Sequence, residues 1–320
     1  MESYCVYILA RMVMLCMRVL PRRIGLFLTR IMALAAYLLF RRHRHIADVN
    51  LKIAFPDLPE SRRAEIVRKS FYNTALNLIE ISRIPLLNQK NISSLVQYDP
   101  VCGLDNFRAA LSMGKGILYL TGHFSAWELL PAAHALYGYP LSFITRPLDN
   151  VLLDRYLQQL RESTGNRVIN KKNSMRTVLR CLKENGSVGI LMDQNTSLQE
   201  GVFADFFGLP AATTTGLALL ALRTDAPILT GYLTPMQGGR YTIKFLPPVE
   251  VTRTGDRNRD IELNTRKLNE VLEKIVREQP ESWLWGHKRW KHQPPENPQD
   301  LYGLTEDALD RFLIAKKHTD

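Results

Sequence analysis

Cysteine is scarce in this chain and shows no metal-binding pattern. The four cysteines, at positions 5, 16, 102 and 181, form no CxxC or CxxH spacing. Zinc sites and disulfide frameworks need cysteines at such close or regular spacing. The sequence therefore predicts neither a metal site nor a disulfide framework. Reduced cysteines in an enzyme that faces the cytosol fit best.

The chain also lacks a nucleic-acid-binding motif and an internal repeat, and its basic residues are spread along the sequence instead of forming one block. The net charge is nevertheless +11, which predicts an anionic partner. Anionic lipid and an acidic carrier protein both fit this charge. Nucleic acid is the least favoured partner because no motif for it is found.

No apolar run is both long and uninterrupted. The longer of two N-terminal runs, residues 24–40, has seventeen residues and contains Arg30 near its middle. Seventeen residues is the short limit for a spanning helix, and a central arginine costs about 2.5–3.5 kcal/mol on insertion. The first run, residues 5–20, is interrupted by Arg11 and Arg18.

These two runs predict that residues 1–45 form membrane-associating helices. We expect them to lie in or dip into one leaflet, with their basic flanks on anionic headgroups. A single spanning anchor is the close alternative, and a helical hairpin packed on the rest of the protein is another. A cleaved signal peptide is disfavoured because Arg11 interrupts its apolar region.

The rest of the chain has the pattern of one large α/β domain, residues 46–299, followed by a tail, residues 300–320, with a short helix. Hydrophobic residues make up 46% and charged residues 23% of the 320 positions, ordinary values for a globular protein. Strand-like and helical segments alternate from residue 116, which predicts a mixed central sheet flanked by helices. The predicted strands are 116–121, 141–145, 188–192, 228–233 and 241–246, and the helices among them are 126–136, 151–163, 214–224 and 260–278.

The most informative motif lies at residues 121–128, where His123 and Glu128 follow a predicted strand at a glycine turn. A neutral imidazole accepts a proton near pH 7, and a carboxylate on its other nitrogen fixes its tautomer. His123 is then a candidate general base and Glu128 its orienting partner. The spacing fits a capping box equally well, with Ser125 at a helix start and Glu128 bound to its backbone N–H.

Other polar residues lie where sites form in open sheets, beyond the carboxyl ends of strands. Arg146 and Asp193-Gln194 each end a predicted strand, and Arg161 closes the helix after Arg146. An arginine fork suits phosphate or carboxylate, so both arginines are candidate substrate-binding residues, although a lone arginine more often forms a surface salt bridge. Asp193 and Gln194 are candidates too, with a turn or helix cap as the alternative.

Two further segments have alternative interpretations. Apolar residues between 202 and 209, among them Phe203, Phe206 and Phe207, either line an acyl-chain groove or belong to the core. Residues 283–291 mix indoles with cations, which suits a membrane-facing surface as well as cation–π packing inside the fold.

Six segments in this order resemble the lipid A late acyltransferases of the lauroyl and myristoyl type, within the glycerolipid acyltransferase superfamily. The match spans roughly residues 20–295, and Ser125-Ala126 stand where the family usually has Gly-Asn. The matching segments are 50–56, 122–128 with its His-x4-Glu motif, 193–194, 201–208, 212–216 and 285–291.

The resemblance implies a glycerolipid acyltransferase-like fold and an enzyme on the cytoplasmic face of a bacterial inner membrane. It would move a fatty acyl group from a thioester, acyl carrier protein being the expected donor, to a hydroxyl of a phosphorylated glycolipid, the lipid A precursor. His123 would deprotonate that hydroxyl and Glu128 would orient His123. Arg161 and Asp193-Gln194 match family positions, Arg146 more weakly, and no cofactor is needed because a thioester is already activated.

Three alternatives remain open at this point. The acceptor could be another glycolipid or an amino-acid-linked lipid. A scaffold of the same fold could bind lipid without turnover because of the Ser125-Ala126 change. A thioesterase would use the same chemistry with water as the acceptor.

Overall fold

Short apolar strands form the centre of the structure, a computed structural model that describes residues 2–171, 174–295 and 298–317. The described strands are β1 (Val96–Tyr98), β2 (Ile117–Thr121), β3 (Ser142–Thr145), β4 (Arg167–Asn170), β5 (Ser187–Leu191), β6 (Gly201–Phe206), β7 (Leu209–Thr214), β8 (Ile228–Pro235) and β9 (Tyr241–Phe245). The described helices are α1 (Glu2–Val19), α2 (Arg22–Leu39), α3 (Arg41–Ala54), α4 (Glu60–Arg83), α5 (Leu104–Ser112), α6 (Leu129–Leu136), α7 (Val151–Glu162), α8 (Ser174–Lys183), α9 (Gly216–Thr224), α10 (Arg257–Glu278) and α11 (Glu306–Lys317).

Seven of these strands make one sheet in the order β1-β9-β8-β2-β5-β3-β4. The pairs β8–β2, β2–β5, β5–β3 and β3–β4 are parallel, whereas β9 is antiparallel to β8. Strand β2 is central, and its residues 117–120 are all buried, as expected for a strand covered by helices on both faces. The predicted mixed sheet flanked by helices is confirmed.

The connections place helices on opposite faces of this sheet. Helix α7 joins β3 to β4, and α8 joins β4 back to β5 on the other side of β3. Because parallel crossovers are right-handed and these two run in opposite directions across the sheet, α7 and α8 lie on opposite faces. Helix α7 packs against α1 and α4, whereas α8 packs against α9.

The two N-terminal helices pack on α4 through one face each. On α2 the packed face is formed by Gly25, Thr29 and Ala33, and Arg22 fixes the helix to α4 through a bidentate ion pair with Glu80. No single described helix is long and apolar enough to cross a membrane; α2 and α3 meet those measures only together, and they are bent by 86°. Large apolar side chains cover the outer faces of α1 and α2: Tyr4, Val6, Ile8, Leu9, Met12, Leu15, Val19, Ile24, Phe27, Ile31, Met32, Leu34, Leu38 and Leu39.

The described part of the C-terminal tail packs on the main domain. Leu309 and Leu313 of α11 are buried in the core. Lys52 of α3 is bound by Glu306 at 2.9 Å and by Asp310 at 2.8 Å, so α11 is held by charge as well as by apolar contact. Residues 318–320 of the predicted tail lie outside the described residues.

The structure differs from the sequence-based elements at several points. The segment between β5 and α9, predicted as a loop, contains the antiparallel hairpin β6–β7. Helix α6 begins at Leu129 instead of residue 126, because the preceding residues form an irregular turn. Strands β1 and β4 and helices α5 and α8 were not predicted, and all four are short.

Candidate active site

Two neighbouring strands bring a histidine and a carboxylate together at the carboxyl edge of the sheet. Strands β2 and β5 pair in parallel with Thr121 opposite Leu191. His123 and Asp193, each two residues further along, therefore meet beyond the strand ends. Gly122 permits this approach, because a Cβ atom there would lie only 3.0 Å from the Cγ atom of Asp193.

The Asp193 carboxylate is fully buried and accepts three hydrogen bonds. Its Oδ1 accepts from His123 Nδ1 at 2.9 Å, and its Oδ2 accepts from the His123 backbone N–H and from Trp283 Nε1, both at 2.8 Å. Burial alone would raise the pKa of Asp193, but the charge and hydrogen bonds of His123 outweigh it and hold the pKa well below its ordinary range. Asp193 is therefore ionised.

His123 is held in one orientation and one tautomer. Burial lowers its pKa, but the charge and hydrogen bond of Asp193 raise it further, so the pKa lies above its ordinary value. Because Nδ1 donates to Asp193, Nε2 carries the lone pair of the neutral ring. The ring also packs edge-on against Trp127, with the centroids 5.0 Å apart.

The hydrogen bond expected between Glu128 and His123 is made by Asp193 instead. Glu128 forms a bidentate pair with Arg161: Nε to Oε2 is 2.9 Å and Nη2 to Oε1 is 2.6 Å. The Glu128 backbone N–H donates to Asn77 Oδ1, which fixes the carboxylate near His123. Its charge is one of the causes that raise the pKa of His123.

The turn between β2 and α6 is not a capping box. Ser125 has a left-handed backbone with φ of 50°, and its buried hydroxyl has no hydrogen-bond partner among the described residues. The turn is fixed through its backbone, since the Ser125 N–H donates to Ser282 and its carbonyl accepts from Asn77. Ser125 thus takes, at a cost, a backbone conformation that a glycine would adopt freely.

A cavity of about 900 Å³ opens at His123. Glu128, Arg146, Arg161 and Gln194 all line it, so the structure gathers these candidates around His123, while Asp193 stands behind the ring. Its inner wall is mainly aromatic and aliphatic, which suits an apolar ligand. That wall includes Tyr119, Leu130, Leu141, Phe143, Ile190 and Phe245.

The apolar segment 202–209 does not line this cavity. Phe206, Phe207 and Leu209 are buried in the main core, which favours the core interpretation for these residues. The inner wall comes from β2, β3, β5, β9 and α6 instead.

A second histidine lines the cavity, but its ring is fully engaged. His134 Nδ1 pairs with the Tyr98 hydroxyl at 2.8 Å and Nε2 with the Tyr119 hydroxyl at 3.0 Å. Burial lowers the pKa of His134 to about 3, so the ring stays neutral. His123 is therefore the histidine of this cavity with a carboxylate partner and a ring nitrogen available.

The tryptophan-rich segment supports the site from inside the fold. Trp283, Trp285 and Trp290 are fully buried, so its interpretation as a membrane-facing surface was wrong. Trp283 supplies the third donor to Asp193, and the half-buried His287 ring lies between the backbone carbonyls of Leu284 and Asp193. Sequence reasoning missed this role of Trp283, because it lies outside the matching segment 285–291 and nothing in the sequence indicated a contact with Asp193.

The described residues contain no group of three or more His, Cys, Asp or Glu side chains placed to hold a metal ion.

An oriented histidine at the carboxyl edge of an α/β sheet, above a pocket with an apolar inner wall, defines a class of enzyme suited to lipid substrates. The family model of the bacterial lipid A biosynthesis acyltransferases matches residues 1–292, and the chain belongs to this family. The protein is therefore an acyltransferase of lipid A biosynthesis.

Known relatives agree with this membership. The chain is similar to the lipid A biosynthesis lauroyltransferase of Escherichia coli, with 27% identity over 81% of this chain and 82% of the relative. It is 28% identical to the lipid A biosynthesis palmitoleoyltransferase of Escherichia coli over 86% of this chain and 87% of the relative. A lipid A biosynthesis acyltransferase of Haemophilus influenzae is 26% identical over 82% of this chain and 81% of the relative.

The strained turn generates a stability prediction. Ser125→Gly should raise the free energy of unfolding by about 1 kcal/mol, because glycine adopts a positive φ without the clash of a Cβ atom. Chemical denaturation measures the change. Ser125→Ala is the matched control, since it removes the unpartnered hydroxyl but keeps the strain. Equal stability of the two variants would show that backbone strain is not the cause.

Proposed function

We propose that this acyltransferase moves a fatty acyl group from an acyl carrier protein thioester to a hydroxyl of a lipid A precursor, with His123 as the general base. Family membership supports acyl transfer in lipid A biosynthesis. The observation that carries the residue assignment is the contact between His123 Nδ1 and the buried Asp193. It leaves Nε2 directed to the cavity as the proton acceptor.

The chemistry follows from this tautomer. Nε2 of His123 takes the proton of the acceptor hydroxyl, while the oxygen of that hydroxyl attacks the thioester carbonyl carbon. The tetrahedral oxyanion collapses, the C–S bond breaks, and the imidazolium returns the proton to the leaving thiolate. One thioester is exchanged for one ester, so no redox partner or further reactant is required. Asp193 stabilises the imidazolium during the step.

The Glu128–Arg161 pair is assigned to the same step. Arg161 lines the cavity and is held there by Glu128, which binds Nε and Nη2 and leaves the N–H groups of Nη1 to face the reacting carbonyl. A fixed cation in a partly dry site stabilises a developing oxyanion more strongly than a mobile one. Arg146 and Gln194, exposed at the cavity mouth, are assigned to the phosphorylated acceptor.

We also propose that α1 and α2 lie on the cytoplasmic face of a bacterial inner membrane. Support comes from the large apolar side chains exposed on their outer faces, since a contiguous exposed apolar surface marks an interaction or membrane site. Phe27 is 59% and Leu34 51% exposed, and they lie seven residues apart on one helix face. Arg23 and Arg30 lie on this same face, each one turn from Phe27 or Leu34, and suit anionic headgroups.

We expect the Asp193→Asn variant to lose activity roughly 10³- to 10⁴-fold. Losses of this order follow when the aspartate that orients a catalytic histidine is replaced by asparagine. Two donors face Oδ2, so the amide would direct its NH2 group to His123 Nδ1 and favour the tautomer without a lone pair at Nε2. His123→Ala should abolish transfer. The measurement is label transfer from acyl carrier protein to a lipid A precursor, with Asp225→Asn as the folded control.

The pH profile of this assay gives a second readout. The base works when neutral, so wild-type activity should rise as pH rises through the raised pKa of His123. Any residual activity of Asp193→Asn should rise at lower pH, because the charge that raised this pKa is gone. Free fatty acid as the main product would support a thioesterase instead. Full activity of the His123→Ala variant would exclude His123 as the base.

The Glu128–Arg161 pair predicts non-additive kinetics. Glu128→Gln, Arg161→Gln and the double variant should lower kcat by similar factors, because any one change breaks the same pair. Each variant is compared with wild type in the transfer assay and by thermal unfolding. If the loss of kcat in the double variant equals the product of the two single losses, Glu128 and Arg161 have separate roles.

Membrane association is tested with vesicles of anionic phospholipid. Phe27→Glu with Leu34→Glu should weaken binding at least about tenfold, since burying one large apolar side chain contributes about 1.5–3 kcal/mol. Val101→Glu with Met113→Glu is the matched control, because these residues are 85% and 52% exposed but lie outside the N-terminal helices. Equal loss in both pairs would contradict a specific membrane face.

A further inference from the structure

The outer face of α8 carries a row of cations. Arg176, Arg180 and Lys183 recur at positions i, i+4 and i+7, which places them on one side of the helix. All three are exposed, and none forms an ion pair with a residue that the structure describes. The opposite side of the helix is buried through Val178 and Leu182. We call the three cations the α8 basic row.

This row begins at the mouth of the catalytic cavity. Ser174 and Met175, the first residues of α8, line the cavity together with Val178. From Arg176 to Lys183 the helix rises about 10 Å. A partner bound along the row would therefore sit beside the entrance that leads to His123.

Helix stability explains only part of the row. Arg180 and Lys183 lie in the last turn, where cations favour the negative end of the helix dipole. Arg176 lies in the first turn, where the same dipole disfavours a cation. Its position therefore points to a role outside the helix.

The fold separates this row from the predicted membrane face. Helix α1 contacts α7, which lies on the face of the sheet opposite to α8, whereas α8 itself packs on β4, β5 and α9. A bilayer under α1 therefore lies on the other side of the sheet from the α8 basic row. The partner that fits an exposed basic row on this side is a soluble acidic protein.

We propose that the α8 basic row docks the acidic carrier protein that brings the acyl thioester, so that its thioester arm enters the cavity past Ser174 and Met175. This inference rests on the proposed function. Complementary charges of this kind steer association and fix orientation, and they act mainly on the association rate. The row thus recognises the carrier, while the cavity recognises the acyl group.

The sharpest test is Arg176→Glu, because an acidic residue in the first turn favours the helix dipole and leaves the fold intact. With acyl carrier protein as donor, KM should rise roughly threefold to tenfold, with kcat unchanged. The effect should shrink at high salt, because exposed charges are screened. With the same acyl group on free pantetheine, KM should be unchanged.

The matched control is Arg257→Glu, which reverses an exposed arginine in the first turn of α10. An equal rise in KM for both variants, or for both donors, would overturn the docking proposal. Weaker binding of Arg176→Glu to anionic vesicles would overturn it in favour of a second membrane contact. Failure of the wild-type protein to use any thioester would contradict the proposed function itself, and the docking proposal with it.

Discussion

The site depends on one buried carboxylate, that of Asp193. A buried carboxylate without donors is costly, since it loses its hydration and gains nothing in return. Here three donors converge on it from two parts of the chain, the turn after β2 and the tryptophan-rich segment. The same contacts that keep Asp193 ionised fix the orientation and tautomer of His123, so the stability of the turn and the chemistry of the ring share one cause.

The C-terminal half of the chain supplies the support for this carboxylate. Trp283 reaches Asp193 directly, and the nearby Arg289 is fully buried with its guanidinium on the Ala212 carbonyl and the Thr213 hydroxyl. Burial lowers the pKa of Arg289 to about 10, so it stays charged. These contacts join the hairpin β6–β7 to the tryptophan-rich segment behind the site. Both parts therefore belong to the structure that supports Asp193.

The sequence was sufficient for the main strands and for the two residues at their ends, because apolar runs followed by a glycine or a polar residue are a strong local signal. It was not sufficient to pair them. Strands β2 and β5 are neighbours in the sheet although β3 and β4 lie between them in the chain, so spacing and resemblance together pointed to Glu128, a carboxylate close in sequence, as the partner of His123. The real partner, Asp193, is seventy residues away. The cavity walls were missed for the same reason, since they combine strands distant in sequence.

The pairing of Thr121 with Leu191 has a consequence for how this chain can change in length. One residue inserted within β2 or β5 would shift one partner by about 3.3 Å and turn its side chain to the opposite face of the sheet. Insertions between Gln194 and β6 would leave the register untouched, because the chain has already passed Asp193. Variation in length among such chains should therefore occur in the loops around these two strands. The strands themselves should keep a constant length, because their register sets the distance between the histidine and the carboxylate.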